Sequence, residues 1–101
     1  MEKICPVAKI IEVLSKKWSL LILKQLEGKL KKRFNELQKD VGTISPRTLS
    51  KRLKELEKEK LIVKHQYKEI PPRVEYALTP SGRDMIRCFK SLNRWVIKWK
   101  L

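Results

Sequence analysis

At Lys60 the hydrophobic period of this chain changes. Before it, apolar residues recur at three- and four-residue steps, as one face of an α-helix requires; from Leu61 to Leu78 they alternate, as a half-buried strand requires. After Thr79 the helical spacing returns. A chain built this way cannot be an all-β sandwich or a plain helix bundle. It predicts helices, then one hairpin, then a closing helix, and its 101 residues make one domain over 1–101.

The stretch Ile44 to Ile62, ISPRTLSKRLKELEKEKLI, reads as one short helix. Ser45 is a suitable N-cap, because its hydroxyl can accept a bond from an unpaired backbone N–H, and Pro46 fits the first helical position, where no donor is needed. Leu49, Leu53 and Leu56 share the inward face. Upstream, Phe34 to Val41 places Phe34, Leu37 and Val41 on one side of a short helix, and Gly42 and Thr43 turn the chain into the next. Two helices joined by a short Gly-containing turn form the helix-turn-helix pattern.

Two more helices are expected before it. Pro6 to Leu14 aligns Val7, Ile10, Ile11 and Leu14; Lys17 to Leu26 aligns Trp18, Leu21, Ile22 and Leu26, with Leu20 and Leu23 widening the apolar surface enough to make this helix central. Gly28 ends it. Lys29 to Arg33 is a basic connector. After Lys60, Leu61, Val63, His65 and Tyr67 form one face of a strand, and Val74, Tyr76 and Leu78 one face of its partner, with Glu69 to Pro72 as a proline-stiffened loop. A hairpin placed here is a wing, in which the lone His65 reads as structural. Thr79 and Pro80 open a last helix carrying Met85, Ile86, Phe89, Leu92, Val96 and Trp99, more apolar surface than so small a domain readily covers. Phe89, Leu92, Val96 and Trp99, together with Ile10, are therefore expected to hold a homodimer. The fold class is mainly α with a small β-hairpin: a winged helix-turn-helix domain with flanking dimerisation helices.

The charge selects the partner class. There are 25 Lys and Arg against 11 Asp and Glu, a formal net charge of +14. A one-sided excess of this size points to a polyanion. On the Ile44–Ile62 helix Arg47, Lys51, Lys54 and Lys58 form an outward stripe, flanked by Thr48, Ser50 and Arg52. The helix dipole favours acids in the first turn and bases in the last, yet here Arg47, Lys51 and Arg52 come early and Glu55, Glu57 and Glu59 late. Such an inversion is expected where a surface is shaped for phosphates. Arg47, Thr48, Ser50 and Lys51 are the candidates for contact with base edges of double-stranded DNA, and Ser45 at the helix start is a further candidate for DNA contact. Arg52, Lys54 and the wing bases Lys64, Lys68 and Arg73 are the candidates for phosphates; the wing bases could equally meet an adjacent minor groove, or serve only as edge-strand charges that prevent aggregation. The rival reading is a winged helix that binds RNA or a protein partner.

Other classes find little support. No paired carboxylates, nucleophile–base motif or phosphate-cradling glycine loop suggests an enzyme, and no cofactor is expected. Cys5, Cys88 and His65 make a weak metal set, so no metal site is expected, and Cys88 reads as a minor hydrophobe. No apolar run approaches the ~20 residues of a membrane helix, and the N-terminus lacks a signal core, so the expected location is cytoplasmic.

Taken together, Cys5-Pro6, Lys17-Trp18 with Leu21-Ile22, Arg33-Phe34-Asn35-Glu36-Leu37, Ile44-Ser45-Pro46 with Leu49-Ser50 and Arg52-Leu53, Pro71-Pro72-Arg73-Val74-Glu75-Tyr76 and Leu78-Thr79-Pro80 with Gly82 resemble the HxlR-type winged helix transcriptional regulators. The connector Lys29 to Lys32 departs from that pattern in being more basic. The resemblance implies a homodimer built from terminal helices, a recognition helix in the major groove of a pseudo-palindromic site, and wings beside it. It also places Cys5 where some members of the family sense oxidants or electrophiles, so a thiol-reactive or small-molecule effector is an expectation. A helix N-terminus and nearby Lys3 and Lys9 favour the reactive thiolate.

Overall fold

The structure, a computed structural model, describes residues 6–28 and 31–100. Cys5 lies outside the described residues. The order is α1 (Pro6–Leu14), α2 (Ser19–Leu26), β1 (Lys32–Arg33), α3 (Phe34–Val41), α4 (Pro46–Lys58), β2 (Ile62–Tyr67), β3 (Arg73–Leu78) and α5 (Pro80–Trp99). The predicted helices, turn and hairpin are all present.

The core forms where the inward faces meet. Ile22, Leu23 and Leu26 of α2, Leu37 of α3, Leu49, Leu53 and Leu56 of α4, Leu61, Ile62 and Leu78 at the sheet base, and Ile86 of α5 are buried together. The central place expected for α2 is therefore found, although Leu20 and Leu21 stay 46% exposed and do not join it.

Three elements differ from the sequence reading. Helix α2 starts at Ser19, because Trp18 sits in the left-handed region (φ 82°) as its N-cap. Helix α4 covers less than Ile44–Ile62: Ile44 is buried ahead of the cap, and Lys60, at φ 62°, turns the chain so that Ile62 opens β2. The basic connector is not only a connector, since Lys32 and Arg33 pair with Tyr76 and Glu75 to make a third strand. The sheet order is β1-β3-β2, all antiparallel, so β3 is central and the wing gains a short third strand at the base of its β3 edge, while β2 is an edge strand. A two-residue strand is too short to show a period, and the buried Lys32, paired with Asp40 of α3, hides among its basic neighbours. Cys88, read as a minor hydrophobe, is exposed.

The start of α5 is fastened to the α4–β2 junction. Thr79 N–H donates to the Leu61 carbonyl, and the Thr79 hydroxyl donates to the Lys60 carbonyl while accepting from Gly82 N–H. A Cβ on Gly82 would stand 2.1 Å from the Leu61 carbonyl oxygen, so this helix can approach only through glycine. The other half of α5 leaves the domain. Every residue from 91 to 100 is exposed.

Candidate nucleic-acid interface

The N-terminus of α4 is built as the sequence requires. Ser45 is extended, its hydroxyl accepts from Thr48 N–H at 3.1 Å and donates to the Thr48 hydroxyl at 3.0 Å, and Pro46 follows. Both hydroxyls thus serve the cap. With Leu49, Leu53 and Leu56 buried, Arg47, Lys51, Lys54 and Lys58 project to solvent, and Ser50 and Thr48 are half-buried at the edges. No acid pairs with those four cations among the described residues. The outward stripe exists as read.

Arg52 has a different role from the one expected. Its Nε donates to the Lys17 carbonyl at 2.9 Å and its guanidinium pairs with Glu55 at 2.9 Å, leaving the side chain 15% exposed. The other oxygen of Glu55 accepts from Lys16 Nζ at 2.7 Å. One carboxylate thereby ties the α1–α2 corner to the middle of α4. The Lys16 hydrogen bond holds the Glu55 carboxyl below its ordinary value, with partial burial opposing and Arg52 assisting. Spacing within α4 could not show this, because the partners lie 35 and 39 residues away.

The wing repeats the pattern. Lys64 and Lys68 are exposed, but Arg73 is held: its guanidinium lies 4.1 Å from the Tyr67 ring centre and pairs with Glu69 at 3.2 Å and, more loosely, with Glu75 at 3.9 Å. Arg33 reaches Glu75 at 3.8 Å and Lys31 donates to the Tyr67 hydroxyl at 2.6 Å. Arg73 therefore organises the hairpin rather than projecting from it. His65 is half-buried opposite Glu75. Beyond this network the tip presents Ile70, 102% exposed.

Of the residues expected at a dimer interface, Ile10 and Phe89 are half-buried against the core, while Leu92, Val96 and Trp99 are 62%, 39% and 64% exposed. Trp95 and Ile97 of α5, Val7 and Ile11 of α1, and Leu20 and Leu21 of α2 add to this exposed apolar surface. Among the described residues no group of three or more His, Cys, Asp or Glu could hold a metal ion, and no helix is long and apolar enough to cross a membrane.

Residues 13–101 match the family model of the HxlR-like helix-turn-helix. The chain belongs to that family. A helix-turn-helix-type transcriptional regulator of Synechocystis is 42% identical over 96 residues, 95% of this chain and 70% of that protein. A MarR-family transcriptional regulator of Porphyromonas gingivalis superposes with a TM-score of 0.84 at 36% identity, covering 100% of this chain and 97% of that one. The reduced form of the Bacillus subtilis transcriptional regulator YodB superposes with a TM-score of 0.85 at 30% identity, covering 97% and 96%. This HxlR-like chain is thus a transcriptional regulator of the winged helix-turn-helix type, and the fold inferred from its periodicity is the fold of its relatives.

Proposed function

We propose that this HxlR-like regulator binds double-stranded DNA sequence-specifically as a cytoplasmic homodimer, with two α4 helices in successive major grooves of a pseudo-palindromic site. The observation that carries the reading is the stripe Arg47, Lys51, Lys54 and Lys58 on α4, four cations that no acid among the described residues neutralises. Arg47, Ser50 and Lys51 read base edges; Lys54, Lys58, Lys64 and Lys68 hold phosphates. Selection of bound fragments from genomic DNA, followed by affinity measurement on duplex DNA and duplex RNA of matched length, tests this. One enriched half-site motif in inverted repeat and a clear DNA preference are expected. Equal affinity for RNA, or no enriched motif, overturns the reading.

The signal belongs to the same proposal. Cys5 directly precedes α1, whose Val7 and Ile11 are exposed, so modification there would act beside the surface proposed to hold the dimer. The similar regulator YodB has been solved both reduced and after diamide treatment. DNA binding before and after diamide, in the parent, Cys5→Ser and Cys88→Ser, decides it. Loss of the response in Cys5→Ser alone is expected. Loss in Cys88→Ser instead moves the sensor to the exposed thiol of α5, and an unresponsive parent leaves a small-molecule effector in its place.

A further inference from the structure

We infer that the wing tip engages DNA through Ile70, as an apolar wedge in the minor groove rather than as a cation seeking phosphate. The inference rests on the proposed DNA-binding reading and assigns a contact within it. Ile70 is 102% exposed, the most exposed large apolar side chain among the described residues, and it stands at the extreme end of the hairpin between Glu69 and Pro71. The charges around it explain why it is the tip's contact. Arg73, the guanidinium nearest the tip, is stacked on Tyr67 and paired with Glu69 and Glu75, and Arg33 is turned toward Glu75. Lys68 is the loop's own cation, and no acid pairs with it among the described residues. Glu69, which would repel a phosphate backbone, is neutralised by Arg73 at 3.2 Å.

The hairpin also has the stiffness a wedge needs. Tyr67 is held by the Lys31 hydrogen bond on one side and Arg73 on the other, β2 and β3 pair without a break up to Tyr67 and Arg73, and Pro71 and Pro72 restrict the backbone just after Ile70. Little ordering is then required when the tip enters a groove. Apolar wedges of Ile, Leu or Pro are inserted between base steps of the minor groove, and they work best at flexible pyrimidine–purine steps such as TA, which unstack at least cost. Ile70 would therefore set a base preference outside the segment read by α4.

The test uses duplexes with a randomised segment, selected with the parent protein. The parent should enrich pyrimidine–purine steps such as TA flanking each half-site. Ile70→Ala should bind the selected duplexes about tenfold more weakly, as loss of most of a buried isoleucine implies, with the salt slope unchanged and the flanking preference lost. Netropsin, which occupies A·T minor grooves, should weaken the parent and leave Ile70→Ala nearly unaffected. Ile70 touches no core residue, so both proteins should melt alike. If Ile70→Ala matches the parent in affinity and preference, or if Ile70→Lys binds more tightly with a steeper salt slope, the wedge is wrong while the DNA-binding reading stands. If the parent selects no duplex, both fail.

Discussion

Lys51 and Arg52 are adjacent cations with opposite fates. Lys51 projects to solvent, while Arg52 is folded onto Lys17 and Glu55. Substituting them should separate function from stability. Arg47→Ala, on the same outward stripe as Lys51, should leave the melting temperature nearly unchanged, cost about 1–3 kcal/mol of specific DNA affinity and relax base preference; a loss of equal size on random duplex would make Arg47 a phosphate contact. Gly82 shows the reverse behaviour. Gly82→Ala places a methyl against the Leu61 carbonyl oxygen in a contact that cannot form without moving backbone. The expected loss is about 1–3 kcal/mol in denaturant unfolding, with α5 displaced from the α4–β2 junction; an unchanged midpoint would show that the junction is looser than its hydrogen bonds imply.

Elements here are held to one another by a few charged ties, and one is pH-dependent. Because the Glu55 carboxyl is lowered in the folded protein, its contribution is complete above the ordinary carboxylate value and is lost as pH falls through the lowered value. Urea midpoints should accordingly fall with acidification below that ordinary value, and Glu55→Gln should flatten this acid limb. An identical limb in the variant would assign the acid sensitivity to other carboxylates. The same ties mark the limit of what the sequence discloses. Helices with a repeated inward leucine, the Ser45-Pro46 and Thr79-Pro80 caps and the alternating hairpin all write their structure into neighbouring residues, so they can be read directly. The strand β1 cannot, since two residues carry no period. Nor can the roles of Arg52 and Arg73: their acids Glu55, Glu69 and Glu75 stand within four residues, but the Lys17 carbonyl that holds Arg52, 35 residues away, and the Tyr67 ring beside Arg73 leave no mark in the local spacing. Trp18 misleads for a related reason: its apolar side chain continues the helical spacing while its backbone, at φ 82°, interrupts it.

At the scale of the whole molecule, two features set behaviour in solution: a formal charge of +14 and an apolar surface shared by α1, α2 and the far half of α5. The charge predicts that log K for duplex DNA falls linearly with log salt, by about 0.9 per phosphate contacted. The apolar surface predicts assembly. Replacing Leu92 and Val96 together with Glu should give a folded monomer by sedimentation, with DNA binding weakened far more than either half-site alone would suggest, since two linked contacts are lost at once. A dimer that survives both charges would move the interface elsewhere.

The outward half of α5 also bears on timing. Residues 91–99 complete a 20-residue helix, none of them is buried within the subunit, and a helical stretch this short is marginal in water without a supporting surface. In a lone subunit those turns should fray, opening and closing their amides to solvent many times before the core opens once. Deuterium uptake along 91–99, followed while the protein is diluted, should therefore quicken as partners separate, with uptake at Ile22 and Leu53 staying slow. In the proposed dimer, the end of the last helix would be a built-in gauge of how much of the regulator is paired.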